Sequence, residues 1–276
     1  GISLAGADSR LSAAGIQFQD ILSVTTDVLN ALATGSEFEV LGANSVSTSG
    51  MIFNGVKNVA GGAGVDRVSG ADNWTVNVDG GGNYLTATKS ADLVFRNIDS
   101  FDTDNGSLTD TVGGGTILLN ADSSIDVHNM SFTGLANLTA DGSGDLDASG
   151  FIDGLALTGS DGEVAANALS IRGIATAKVS GLAGSAADDY FAIATNGDIT
   201  ARSMVFSGVS EVSAGSAGNA VGGADGFDWQ IIDTDSAGNN GIAFHGFSDL
   251  TAVNAGLIGT AGDDLFTLSG SESAGA

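Results

Sequence analysis

A nine-position pattern recurs seven times along the chain: apolar, any, Phe, any, then Gly, Asn or Asp, then apolar, any, any, apolar. The first copies read Ile16, Phe18, Asp20, Ile21, Val24, and then Met51, Phe53, Gly55, Val56, Val59. Leu93, Phe95, Asn97, Ile98, Phe101 follow, and then Met130, Phe132, Gly134, Leu135, Leu138. The fifth copy, Leu169, Ile171, Gly173, Ile174, Ala177, replaces the aromatic by Ile. Met204, Phe206, Gly208, Val209, Val212 and Ile242, Phe244, Gly246, Phe247, Leu250 complete the set. One such unit cannot bury its own apolar face, so the units must stack on each other.

Each position has a physical reason. Two apolar residues separated by one other have the period of a strand, with both side chains on one face. The residue two after the aromatic is drawn only from Gly, Asn and Asp, the residues that tolerate positive φ, which predicts a corner there. Spacing of three after the corner also suits a helix, but Gly-rich windows full of Val, Ile, Thr and Phe argue for strands. Only Asp20 to Ala33 leaves room for a short helix.

A second pattern, an acidic turn and then an apolar strand, falls between the copies: Phe38, Trp74, Phe191, Trp229 and Phe266 mark it. Phe18 to Phe38, Phe53 to Trp74, Ile171 to Phe191 and Phe244 to Phe266 are 20, 21, 20 and 22 residues apart. The full period between aromatics is 35 to 42 residues. The expectation is an all-β solenoid of seven repeats of about 37 residues, with one large coil or, as favoured here, two smaller coils in each. Two coils per repeat would stack into a rod roughly 70 Å long. Residues 1–276 then form one continuous solenoid without polar caps, a segment or subunit of something longer.

Composition narrows the partners. The net charge is -25, with 8 Lys and Arg against 33 Asp and Glu, which repels nucleic acid and anionic lipid. Cys and Pro are both absent, so there is neither a disulfide framework nor a thiolate site, and every backbone N–H is available to a ladder. No apolar run is long enough to span a bilayer.

Phe206-Ser-Gly-Val-Ser-Glu-Val212 and Phe244-His-Gly-Phe-Ser-Asp-Leu250, each leading into an acidic glycine turn, resemble the β-strand repeats of large bacterial surface and filamentous-haemagglutinin-like adhesins. That resemblance implies a secreted, cell-surface protein with a structural or adhesive role, not an enzyme. Its partners would be further copies or adjacent segments stacked head to tail, with surface glycans as a further partner. Gly61-Gly-Ala-Gly64-Val-Asp66 and Gly259-Thr-Ala-Gly262-Asp263-Asp264 are similar to the calcium-binding nonapeptide of RTX proteins, as, more loosely, is Gly184 to Asp188 and Asp189. Asp66, Asp188, Asp189, Asp263 and Asp264 are therefore the candidate calcium ligands, set against the simpler reading of isolated copies as Asp-Gly turns between strands.

Catalytic patterns are sparse. No zinc-protease, nucleophile-elbow or phosphate-loop motif occurs, and the two histidines, His128 and His245, lie far apart in sequence. Acid clusters at Asp102, Asp104 and Asp110, at Asp141, Asp145 and Asp147, and at Asp233 and Asp235 keep a carbohydrate-binding or carbohydrate-cleaving solenoid as the alternative. Such a protein would need a groove with two converging acids and exposed aromatics. Trp74 and Trp229 occupy the strand position of the repeat, which places them in the core.

Overall fold

The computed structural model describes residues 2–4, 10–71, 73–79, 82–87, 93–215 and 218–262. These form a β-solenoid of about seven turns, with thirty-one strands and no helix among the described residues. The stretch that left room for a helix holds two short strands, Ser23–Thr25 and Val28–Asn30, and β-branched Val and Thr favour that outcome.

The repeat folds as its residue types require. In Met51–Asn54, Met51 and Phe53 are buried while Ile52 and Asn54 face out. All seven corner residues have positive φ: Asp20 58°, Gly55 71°, Asn97 55°, Gly134 69°, Gly173 75°, Gly208 71° and Gly246 72°.

Coil size departs from the favoured expectation. Parallel partners join the last apolar position of one copy to the aromatic position of the next: Val24 to Phe53, Val59 to Phe95, Phe101 to Phe132, Leu138 to Ile171, Ala177 to Phe206 and Val212 to Phe244. These offsets run from 29 to 36 residues, so one large coil, rather than two coils of half that size, makes each turn. Because the coil is shorter than the repeat, each copy travels slightly more than once around the solenoid. Inward rows therefore draw on four successive copies, as in Phe38, Val68, Phe101, Phe132 and in Leu155, Leu182, Val212, Phe244.

Among the described residues every pairing belongs to one of two strips of hydrogen-bonded strands, with nineteen strand passes in the first strip and sixteen in the second. Within a strip, parallel rows are separated by an antiparallel three-stranded meander. Glu37–Gly42, Ser45–Thr48 and Met51–Asn54 form one in the second strip, and Asn73–Asp79, Gly82–Ala87 and Val94–Arg96 form the next in the first strip. Successive copies place their meanders in alternate strips along the whole described chain. At about 4.8 Å per strand the first strip is roughly 85 Å long.

The strips meet across a continuous core. Trp74 in the first strip packs edge-on against Phe101 in the second, with centroids 4.8 Å apart and planes at 63°. Corners stack closely too: a Cβ at Gly61 would lie 1.7 Å from the carbonyl oxygen of Asn97, so only glycine fits there. At the two ends of the described stack the core positions are open to solvent, with Phe18 40% and Leu257 55% exposed. Trp74 and Trp229 are buried, as their repeat position requires.

Candidate functional site

The candidate calcium ligands divide by environment. Asp66 is fully buried; its Oδ2 accepts the Gly62 N–H at 2.7 Å, and the Ser36 backbone N–H also bonds the carboxylate. Its Oδ1 has no hydrogen-bond partner, and its own N–H donates to Asp99 Oδ2 at 2.7 Å. Burial, assisted by the charge of Asp99, raises the carboxyl pKa of Asp66 despite those two N–H bonds.

Asp189 repeats the pattern with a counter-charge added. Its Oδ2 accepts the Ser185 N–H at 2.6 Å and the Ser185 hydroxyl at 2.8 Å, and its own N–H donates to Asn219 Oδ1 at 2.7 Å. Arg202 Nε donates to Asp189 Oδ1 at 2.5 Å, and Arg202 Nη2 donates to the Asp188 carbonyl at 2.9 Å. A guanidinium thus stands where a cation would be sought. Asp263 and Asp264 lie outside the described residues. No group of three or more His, Asp and Glu among the described residues could hold a metal ion.

The clustered acids do not converge either. Asp141 and Asp147 each accept the N–H and hydroxyl of the serine two residues on, Ser143 and Ser149, which lowers both carboxyl pKa values. Asp145 takes the hydroxyl of Thr176 on the neighbouring strand. Asp110 is buried against His128, whose Nε2 lies 3.2 and 3.1 Å from its two oxygens. The turn between Ile125–Val127 and Met130 carries His128 to Asp110, at the end of Ser100–Asp110, so that residues 18 apart in the sequence meet. His245 Nδ1 bonds the Ser236 hydroxyl at 2.8 Å and remains partly exposed.

Ladder register also builds a groove that the sequence does not announce. Glu37, Arg67 and Ser100 are outward partners on adjacent strands, and Asp102 pairs with Thr133 two residues along. Together with Ser69 they wall an outward cleft of about 460 Å³ floored by Phe38, Val68 and Phe101. The Arg67 guanidinium makes no hydrogen bond or ion pair among the described residues, whereas Arg172, Lys178 and Arg202 are each paired with an acid. A second outward cleft, about 190 Å³, lies at the equivalent place in the other strip, between Asp153, Leu155, Leu182, Glu211 and Ser213. No helix of the described residues is long and apolar enough to cross a membrane. Set against protein-family models, curated proteins and solved structures, the chain matches none of them.

Proposed function

We propose that the chain is a non-catalytic structural and adhesive rod, exported to the cell surface and extended by stacking on further coils of its own kind. The observation that carries this reading is the pair of uninterrupted strips. Every repeat is hydrogen-bonded to the next, and the whole described chain is given over to length rather than to one deep site. Core positions that are buried in mid-rod, such as Phe53 and Val212, have open counterparts at Phe18 and Leu250, which a further coil would cover. Acidic side chains on the outer surface keep such rods dispersed from nucleic acid and anionic lipid while leaving end contacts available. The reading needs no ion, since Asp189 already has Arg202 as its counter-charge.

Negative-stain imaging over a range of concentrations tests it. Rods roughly 85 Å long should join end to end as concentration rises. Discrete rods that never join, at any concentration, would overturn stacking between copies.

A further inference from the structure

Two charged groups of opposite sign on adjacent strands normally pair when nothing holds them apart. Arg67 lies directly across from Glu37 and shares a cleft with Asp102, yet among the described residues its guanidinium bonds to neither. Among the described residues, Glu37 likewise makes no side-chain hydrogen bond, and Asp102 accepts only the Asp104 N–H, at 3.3 Å. The cleft therefore offers unused acceptors on two carboxylates, an unused guanidinium between them, and the hydroxyls of Ser69, Ser100 and Thr133 along its walls. It crosses four adjacent strands, a run of roughly 14 Å along the rod axis.

We infer that this cleft binds a short segment of an uncharged polysaccharide, read through the ligand's hydroxyl groups instead of by stacking on exposed aromatic rings, since Phe38 and Phe101 are buried beneath it. The inference rests on the adhesive reading and supplies its ligand class. Sugar hydroxyls both donate and accept, so one neutral chain satisfies Glu37 and Asp102 as acceptors and Arg67 as donor. A polyanion would meet two carboxylates for one guanidinium on a protein of net charge -25. A peptide has poor purchase: the strands are already paired on both sides, and Phe38, Val68 and Phe101 are buried too deeply to offer a side-chain pocket.

The cleft at Asp153 and Glu211 has Gly181 where the first has Arg67, and its acids are already engaged, Asp153 by Asn167 Nδ2 at 3.3 Å and Glu211 by His245 Nε2 at 3.5 Å, so the inference is confined to the Arg67 cleft.

Native electrophoresis of the full chain through gels containing dextran, galactomannan or a mixed-linkage β-glucan tests this, with alginate and dextran sulfate as polyanion arms. At least one neutral polysaccharide should retard the chain. Arg67→Ala and the pair Glu37→Gln with Asp102→Asn should each weaken that retention at least tenfold, with circular dichroism unchanged. Asp27→Asn, an exposed acid outside both clefts, should leave it intact. The inference is overturned if no neutral polysaccharide retards the folded chain, if retention ignores the cleft variants, or if only the polyanions retard it. Run at dilutions where rods stay single, the gel is independent of stacking: retention without end-to-end joining sinks only the stacking, and joining without retention sinks only the cleft.

Discussion

Phe101 and Phe132 stack with centroids 5.1 Å apart and planes at 15°, and they are also direct partners in the parallel ladder. They hold unlike positions in the repeat, the last apolar place of the third copy and the aromatic place of the fourth. Ring contact and backbone register therefore enforce the same offset. Phe132→Ala should cost about 3–5 kcal/mol, and a double-mutant cycle with Phe101→Ala should show coupling of about 0.5–1.5 kcal/mol, read from urea unfolding.

The corners separate two effects of a methyl group. Gly173 and Gly208 have nearly equal φ, 75° and 71°. A Cβ at Gly173 would lie 2.2 Å from the Ala140 carbonyl oxygen, whereas at Gly208 its nearest neighbour is 3.7 Å away. Gly208→Ala should cost about 1–2 kcal/mol for the left-handed backbone alone. Gly173→Ala should cost clearly more, and thermal melting of the two variants side by side checks the order.

Arg202 should prove structural. Its partner Asp189 is fully shielded while Arg202 is about one-fifth exposed, so removing the guanidinium strands a buried carboxylate. Arg202→Ala should cost about 3 kcal/mol, the low end for breaking a buried pair, by urea unfolding.

Asp66 gives a pH dependence of the opposite sign to the usual carboxylate. Its folded pKa is raised, so the folded state holds the proton more tightly than the unfolded state does. The stability it contributes is fully present below the unfolded value near 3.8 and is lost as pH rises through the folded pKa. Asp66→Asn removes that loss and keeps an oxygen for the Gly62 N–H; Asn219, buried in a similar corner, shows that an amide fits. The variant should gain melting temperature over the parent at pH 7 and lose the advantage near pH 4. An equal difference at both pH values would exclude the buried acid as the cause.

The sequence made the corners legible because only a few residue types accept positive φ, and it made the strands legible because apolar alternation is a local property. Coil size was hidden for a specific reason. Repeat detection aligns equivalent residues, Phe53 with Phe95, whereas the ladder joins non-equivalent ones, Val59 with Phe95. The Glu37, Arg67 and Asp102 cleft depends on that same offset, and the Asp110 and His128 pair depends on where a meander turn lands against a strand end, so neither follows from spacing within a single repeat. The corner acids were visible as glycine-flanked aspartates, but the arginine that engages Asp189 comes from 13 residues later, across a hairpin.

Alternation of the meanders makes presentation a matter of parity. Two surface features an odd number of repeats apart look out from opposite sides of the rod, and an even number brings them to the same side. The Glu37 and Asp153 clefts, three repeats apart, oppose each other. Excising a single repeat between them would leave every local contact type in place yet turn both clefts to one side. In a protein of this kind, gaining or losing one repeat changes which neighbours a rod can reach, and only a second such event restores the original facing.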